Sequence, residues 1–97
     1  MTKLEGDELR RMLRELEGWK HLGDAIHKDF MFPGFKGAIA FVNRIAEIAT
    51  AAGHHPDLEI HYNRVVVSLS THDAGGVTQR DITMAADIDH AASPGDD

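Results

Sequence analysis

The residues of this chain that are best suited to proton transfer are its histidines, of which there are seven among 97 residues. Two of them, His54 and His55, lie between a helix-ending Gly53 and Pro56. Because proline restricts the residue before it to an extended backbone, we expect His55 to be held in a fixed position. An imidazole gains and loses a proton near neutral pH, so paired histidines can supply an acid and a base to one site.

A hairpin predicted after this pair brings in a third histidine. Two alternating apolar runs flank Asn63-Arg64, namely Leu58, Ile60 and Tyr62 before it and Val65, Val67 and Leu69 after it. With Asn63-Arg64 as a two-residue turn, the opposed pairs are Tyr62 with Val65, Ile60 with Val67, Leu58 with Leu69 and, at the open end, His55 with His72. Opposed residues have Cβ atoms about 5 Å apart. Two imidazoles from distant stretches are therefore predicted to line one small space.

These histidines also admit a structural and a metal-binding interpretation. In the structural one, His54 and His55 cap the preceding helix and His72 satisfies a strand end. A metal ion needs three or four converging ligands, so His61 would have to join the group. Adjacent side chains diverge and His61 lies away from the open end, so acid–base chemistry is a stronger prediction than a metal site, while the structural interpretation stays open.

A serine hydrolase is disfavoured, although the strand end carries the residue types of a catalytic triad. Ser68, Ser70, His72 and Asp73 follow one another closely, but neighbours along a strand do not face each other. The Gly-x-Ser-x-Gly turn that exposes a nucleophilic serine is also missing.

An acidic residue is predicted at the start of the last helix. Thr78-x-x-Asp81 resembles a capping box, and Asp81 also borders the apolar line of Met84, Ala85 and Ile88. Asp81 is therefore either a cap or a member of the site. The preceding Gly75-Gly76 fits a tight turn better than an anion-binding loop.

The elements that must position these side chains follow from apolar periodicity. A first helix is predicted from an N-cap at Asp7 to a stop at Gly18. A hairpin follows with its turn at Gly23-Asp24, and Pro33-Gly34 ends its second strand. The strongest helix pattern then runs from Phe35 to Gly53, before the histidine-bearing hairpin and the last helix.

The order αββαββα predicts an α+β fold of two layers, a four-stranded antiparallel sheet with the helices packed on one face. One domain over residues 1–92 is expected, followed by a disordered tail at 93–97, where the sequence Ser-Pro-Gly-Asp-Asp has nothing to bury.

Composition excludes several classes of function. The formal net charge is −6, which opposes direct binding of nucleic acid or anionic lipid. The absence of cysteine excludes disulfides and thiolate-held metals. No run approaches the ~20 apolar residues of a membrane span, and the charged N-terminal segment does not resemble an export signal, so a cytoplasmic location is expected.

Several spaced motifs agree with one known family. They are Gly-His-His-Pro-Asp at 53–57, Tyr-Asn-Arg-Val at 62–65, Leu-Ser-Thr-His-Asp at 69–73 and Ala-Gly-Gly-Val-Thr-Gln-Arg-Asp-Ile at 74–82, with Gly18-Trp19, Asp24-Ala25-Ile26 and Phe30-x-Phe32 upstream. Together they resemble the pterin-4a-carbinolamine dehydratases over nearly the whole chain.

This resemblance implies both a reaction and a set of site residues. Such enzymes dehydrate 4a-hydroxytetrahydropterin to quinonoid dihydropterin, with no metal and no cofactor apart from the pterin substrate. Their catalytic histidines match His54, His55 and His72. Their substrate-binding positions match Ser70, Thr71 and Asp73 at the strand end and the acidic Asp81.

Two positions depart from the family pattern. Animal members carry a glutamate four residues before the first histidine, where this chain has Thr50. An aromatic residue often follows the His-His-Pro-acid motif, where this chain has Leu58. The chain therefore lacks the family's carboxylate at position 50 and its aromatic side chain at position 58.

The resemblance also implies partners. Members form homodimers or homotetramers and serve aromatic amino acid hydroxylases. The alternative function is that of a regulatory protein that binds a hydroxylase, a molybdenum-cofactor enzyme or a transcription factor and has little dehydratase activity. Nothing in the residues alone chooses between these partners.

Overall fold

A computed structural model describes residues 2–92 of the chain. Its elements are α1 (Gly6–Arg14), β1 (Lys20–Leu22), β2 (Ala25–Met31), α2 (Phe35–Ala52), β3 (Asp57–His61), β4 (Arg64–Leu69), a 3₁₀ turn (His72–Ala74) and α3 (Gln79–Ala92). The predicted order and the α+β class are confirmed. The tail expected at 93–97 lies outside the described residues.

The four strands form one antiparallel sheet in the order β1-β2-β4-β3, so β1 and β3 are its edges. Alternate residues of the central strands point to one face, where Ile26, Val65 and Val67 are fully buried. Phe41 and Ile45 of α2 cover them. The core therefore lies between the sheet and the helices, as predicted. Within residues 2–92, no helix has the length and apolar character needed to cross a membrane.

The predicted register of the second hairpin is wrong by two residues. Tyr62 and Asn63 form the turn, so that His61 pairs with Arg64 and Leu58 pairs with Val67. The reason is a contact between residues far apart in the sequence, which turn propensities do not take into account. The Asn63 side chain donates to the carbonyl oxygen of Phe32 at 2.9 Å, and its own carbonyl accepts from the Phe32 backbone at 2.9 Å.

A shift of two keeps every side chain on its predicted face, because side chains alternate along a strand. The apolar face of the hairpin is therefore as expected. The predicted opposition of His55 and His72 is lost, however, since β4 ends at Leu69 and neither histidine lies in a strand.

The first helix begins earlier and ends earlier than its sequence signals indicate. Its N-cap is Glu5 and its C-cap is Glu15, so Asp7 is not the cap and Gly18 is not the stop. Asp7 instead lies in the first turn, where a carboxylate interacts favourably with the helix dipole, and it pairs with Arg10.

Candidate active site

A cleft of about 260 Å³ opens at the end of the sheet where β3 begins and β4 ends. Three segments line it: Gly53, His54 and His55 after α2; Ser70, Thr71, His72 and Asp73 after β4; and Arg80 in the first turn of α3. This volume is slightly below the roughly 300 Å³ at which small-molecule sites begin. The cleft therefore suits one small ring system. All three predicted histidines line it, although not through the predicted strand pairing.

Gly53 places His54 at the floor of the cleft. Gly53 is the C-cap of α2 and adopts the left-handed conformation with φ of 64°, which ends the helix and turns the chain inward. The backbone N–H of His54 donates to the carbonyl of Ala49. The His54 side chain is 8% exposed, so the ring is held between the protein core and the cleft.

The His54 ring is bound on its inner side by Asp81. Nε2 of His54 lies 2.6 Å from Oδ1 of Asp81, whose side chain is fully buried. The other carboxylate oxygen, Oδ2, accepts from the Thr71 hydroxyl at 2.8 Å and from the Thr78 backbone N–H at 2.9 Å. A buried carboxylate is stable only when it is paired in this way. Asp81 caps α3 as predicted and also orients His54.

His55 and His72 lie at the solvent-exposed rim of the cleft. His72 sits in a short loop that is closed at its base by backbone bonds between Thr71 and Gly76. Gly75 allows this closure with a φ of 77°. The loop therefore presents His72 on a tight support, opposite the segment that carries His55.

The predicted binding residues fall into two groups. Ser70 and Asp73 line the cleft, and the Ser70 hydroxyl also donates to the carbonyl of Asp24 at 2.6 Å. Thr71 also lines the cleft, but its hydroxyl points inward to Asp81, which is not among the lining residues. Thr71 and Asp81 therefore support the site from the side of the protein core.

Arg80 was not singled out by sequence reasoning. It lines the cleft next to Asp81, and its Nη2 donates to the carbonyl of Gly53 at 3.0 Å. The guanidinium thus ties the first turn of α3 to the last turn of α2. The only available signal was its place in the Thr-Gln-Arg-Asp segment before Asp81.

The two departures from the family pattern lie outside the cleft lining. Thr50 is exposed in the last turn of α2, and Leu58 is half-buried in β3, where it packs against the core.

A metal ion finds no ligand set here. Within residues 2–92, no three His, Cys, Asp or Glu side chains come together as metal ligands would. His61 lies at the far end of β3, where it contacts Glu59.

The chain belongs to the pterin 4 alpha carbinolamine dehydratase family, whose model matches residues 2–91. A protein of Thermomicrobium roseum provisionally named pterin-4-alpha-carbinolamine dehydratase is 46% identical over 93 residues, which is 96% of this chain and 100% of the relative. A protein of Aquifex aeolicus with the same provisional name is 48% identical, covering 92% of this chain and 90% of the relative.

Solved structures agree with this assignment. A crystal structure from Brucella melitensis, described as a transcriptional coactivator/pterin dehydratase, matches 95% of this chain and 100% of its own, with 37% identity and a TM-score of 0.92. A pterin dehydratase-like protein described as a RuBisCO assembly factor of the alpha-carboxysome matches 77% of this chain and 87% of its own, with a TM-score of 0.66. At 20% identity, that second likeness shows the fold alone.

Proposed function

We propose that this protein dehydrates 4a-hydroxytetrahydropterin to quinonoid dihydropterin, and so returns an oxidised pterin to its reducible form. The observation that carries the proposal is the convergence of His54, His55 and His72 on one small cleft. Family membership supports the same reaction.

The reaction needs two proton transfers. As the bond between C4a and its hydroxyl oxygen breaks, an acid protonates the oxygen and water leaves. A base removes the proton from N5, and the electron pair left on nitrogen forms the double bond to C4a. Each positioned acid or base contributes ~10²- to 10⁴-fold to such a step. Imidazoles can perform both transfers, so no metal or further cofactor enters the proposal.

His54 is best placed to be the base. Its Nε2 lies against the buried carboxylate of Asp81, and the positive charge that the ring acquires on taking a proton is stabilised by that carboxylate. His55 and His72 are exposed at the rim, where either can exchange protons with water and donate to the leaving hydroxyl. Ser70 and Asp73 offer polar groups to the edge of the pterin ring.

The test is a dehydration assay with synthetic 4a-hydroxytetrahydropterin, measured against the uncatalysed reaction. We expect His54→Ala, His55→Ala and His72→Ala each to reduce kcat, with the largest loss at His54. The matched control is His90→Ala, because His90 is exposed in the last turn of α3. Unchanged turnover in all three site variants, or a wild-type rate equal to the background, contradicts the proposed function.

A second candidate function is protein binding, and an apolar patch at the opposite end of the sheet favours it. Met31, Phe35 and Tyr62 are each at least half exposed, and the rings of Phe35 and Tyr62 stack with centroids 6.4 Å apart. The six residues of β4, at about 3.3 Å per residue, place this patch roughly 20 Å from the cleft. Exposed apolar patches mark interaction surfaces.

We propose that this patch takes part in self-association, in keeping with the expected homodimer or homotetramer. Phe35→Ser combined with Tyr62→Ser is expected to lower the mass measured by light scattering after gel filtration. Leu22→Ser is the control, because Leu22 is more exposed than Phe35 and Tyr62 but lies in β1. A monomeric wild-type protein, or an equal effect of both changes, contradicts this role. The hydroxylase partner and the cytoplasmic location stay predictions.

A further inference from the structure

We propose that the hydroxyls of Thr71 and Thr78 are positioning groups that fix the orientation of Asp81 and so leave the lone pair of the His54 ring on Nδ1. Their role in turnover rests on the proposed function. Their effect on the His54 ring does not, because it can be measured without substrate.

The buried hydrogen bonds around Asp81 each have a definite donor and acceptor. Thr71 Oγ1 lies 2.8 Å from Oδ2 of Asp81, which can only accept when ionised, so the Thr71 hydroxyl donates there. Thr71 Oγ1 also lies 2.8 Å from Thr78 Oγ1. Since the single Thr71 proton is already used, Thr78 donates to Thr71. Thr78 Oγ1 in turn accepts from the backbone N–H of Arg80 at 3.2 Å.

The two carboxylate oxygens of Asp81 have different hydrogen-bond partners. Oδ2 receives the Thr71 hydroxyl and the Thr78 backbone N–H, whereas Oδ1 faces His54. Thr71 and Thr78 are 4% and 0% exposed, so water does not compete for these bonds. The carboxylate therefore cannot exchange its oxygens by rotation without breaking three buried bonds, the two at Oδ2 and the one between Oδ1 and His54.

The contact with Asp81 determines which nitrogen of the neutral His54 ring carries the proton. A carboxylate oxygen accepts, so the neutral ring carries its proton on Nε2. Nδ1 then holds the lone pair. Every buried side-chain nitrogen and oxygen among residues 2–92 has a hydrogen-bond partner, and Nδ1 has none within that range, so Nδ1 is accessible to solvent in a residue that lines the cleft.

The variant Asp81→Asn tests this series of hydrogen bonds. The two donors aimed at the Oδ2 position require the amide oxygen there, which turns the amide nitrogen toward His54. That nitrogen donates, so Nε2 of His54 must accept and its proton moves to Nδ1. The ring nitrogens are followed by ¹⁵N NMR of histidine-labelled protein at a pH where the ring is neutral, with His54→Gln used to assign the signals. We expect a protonated Nε2 in the wild type and a protonated Nδ1 in Asp81→Asn.

The two threonines are tested by comparing kcat among three variants. Thr71→Val removes the donor to Asp81 and is expected to lower kcat about 10-fold, the lower end of the roughly 10- to 150-fold that corresponds to one hydrogen bond to a charged group, with KM unchanged. Thr78→Val removes a hydroxyl that does not touch the carboxylate, so its effect is expected to be smaller. Thr71→Ser restores the donor and the rate.

Two results overturn the proposal: Nε2 still protonated in Asp81→Asn, or an unchanged kcat in Thr71→Val. Thermal melting verifies that each variant is folded, and if one of the two tests lacks a folded variant the other decides. If the wild type fails to dehydrate the pterin, the proposed function fails, whereas the spectra of Asp81→Asn still decide whether the donors at Oδ2 set the tautomer of the His54 ring.

Discussion

His54 and Asp81 are 27 positions apart in the chain, and Nε2 of the one lies 2.6 Å from Oδ1 of the other. This contact joins the end of α2 to the start of α3 beneath the cleft. It makes the same carboxylate responsible for a helix cap and for the orientation of a ring at the proposed site. Its removal should therefore affect stability as well as turnover.

Asp81→Ala is expected to reduce the free energy of unfolding by several kcal/mol, at about 1–3 kcal/mol for each buried donor left without an acceptor. The loss arises because His54, Thr71 and the Thr78 backbone lose their common acceptor. Urea denaturation measures it. The control is Asp87→Ala on the exposed side of the same helix, expected to stay within ~0.5 kcal/mol. Equal values for the two variants contradict this account.

A smaller effect is expected at the other end of α3. Asp89 accepts from the indole Nε1 of Trp19 at 3.0 Å and from Nζ of Lys28 at 2.8 Å. Asp89→Ala leaves both donors without their partner and should cost about 1–2 kcal/mol, because the group is half-buried. Asp87→Ala again serves as the comparison in urea denaturation, and no difference between the two would show that this pair does not hold α3 to the sheet.

Gly53→Ala tests the link between helix ending and site geometry. The left-handed φ of 64° favours glycine, and nothing lies within 4 Å of an added Cβ, so the cost of about 1 kcal/mol is conformational. Since Gly53 aims His54 into the cleft, kcat should fall as well. Gly34→Ala is the matched control, because Gly34 has equally open surroundings and a φ of −163°. A stability loss as large in Gly34→Ala would remove the argument from φ.

Tyr62 is strained in the β3–β4 turn, with a φ of 54°. Asparagine tolerates this conformation and a β-branched residue does not. Thermal melts should therefore rank Tyr62→Asn above Tyr62→Val by about 1–2 kcal/mol, although both lose the stacking on Phe35. The reverse order would show that the positive φ does not govern this turn.

The element order was predictable because it depends on local periodicity and punctuation. The apolar pattern of α2 and the Thr78-x-x-Asp81 cap of α3 are both where the sequence indicates them. The turn of the second hairpin was not predictable, because it is fixed by Asn63 bonding to Phe32, 31 residues earlier. No local propensity contains a contact at that distance.

The membership of the site was predictable for a similar reason, and its internal organisation was not. The cluster at 53–57 and the segment after β4 identify the three histidines. That His54 is buried against Asp81, while His55 and His72 are exposed, depends on how α3 packs against the end of α2. Arg80 was missed because its bond to Gly53 also depends on that packing.

Thr78 directly precedes α3, and its backbone and hydroxyl both cap the first turn of this helix and support Asp81 behind the His54 ring. Helix ends fray more readily than the bodies of helices. Transient opening of this single turn would release Asp81 and let the imidazole swivel while the sheet stays intact. On warming, loss of turnover is therefore expected to precede global melting.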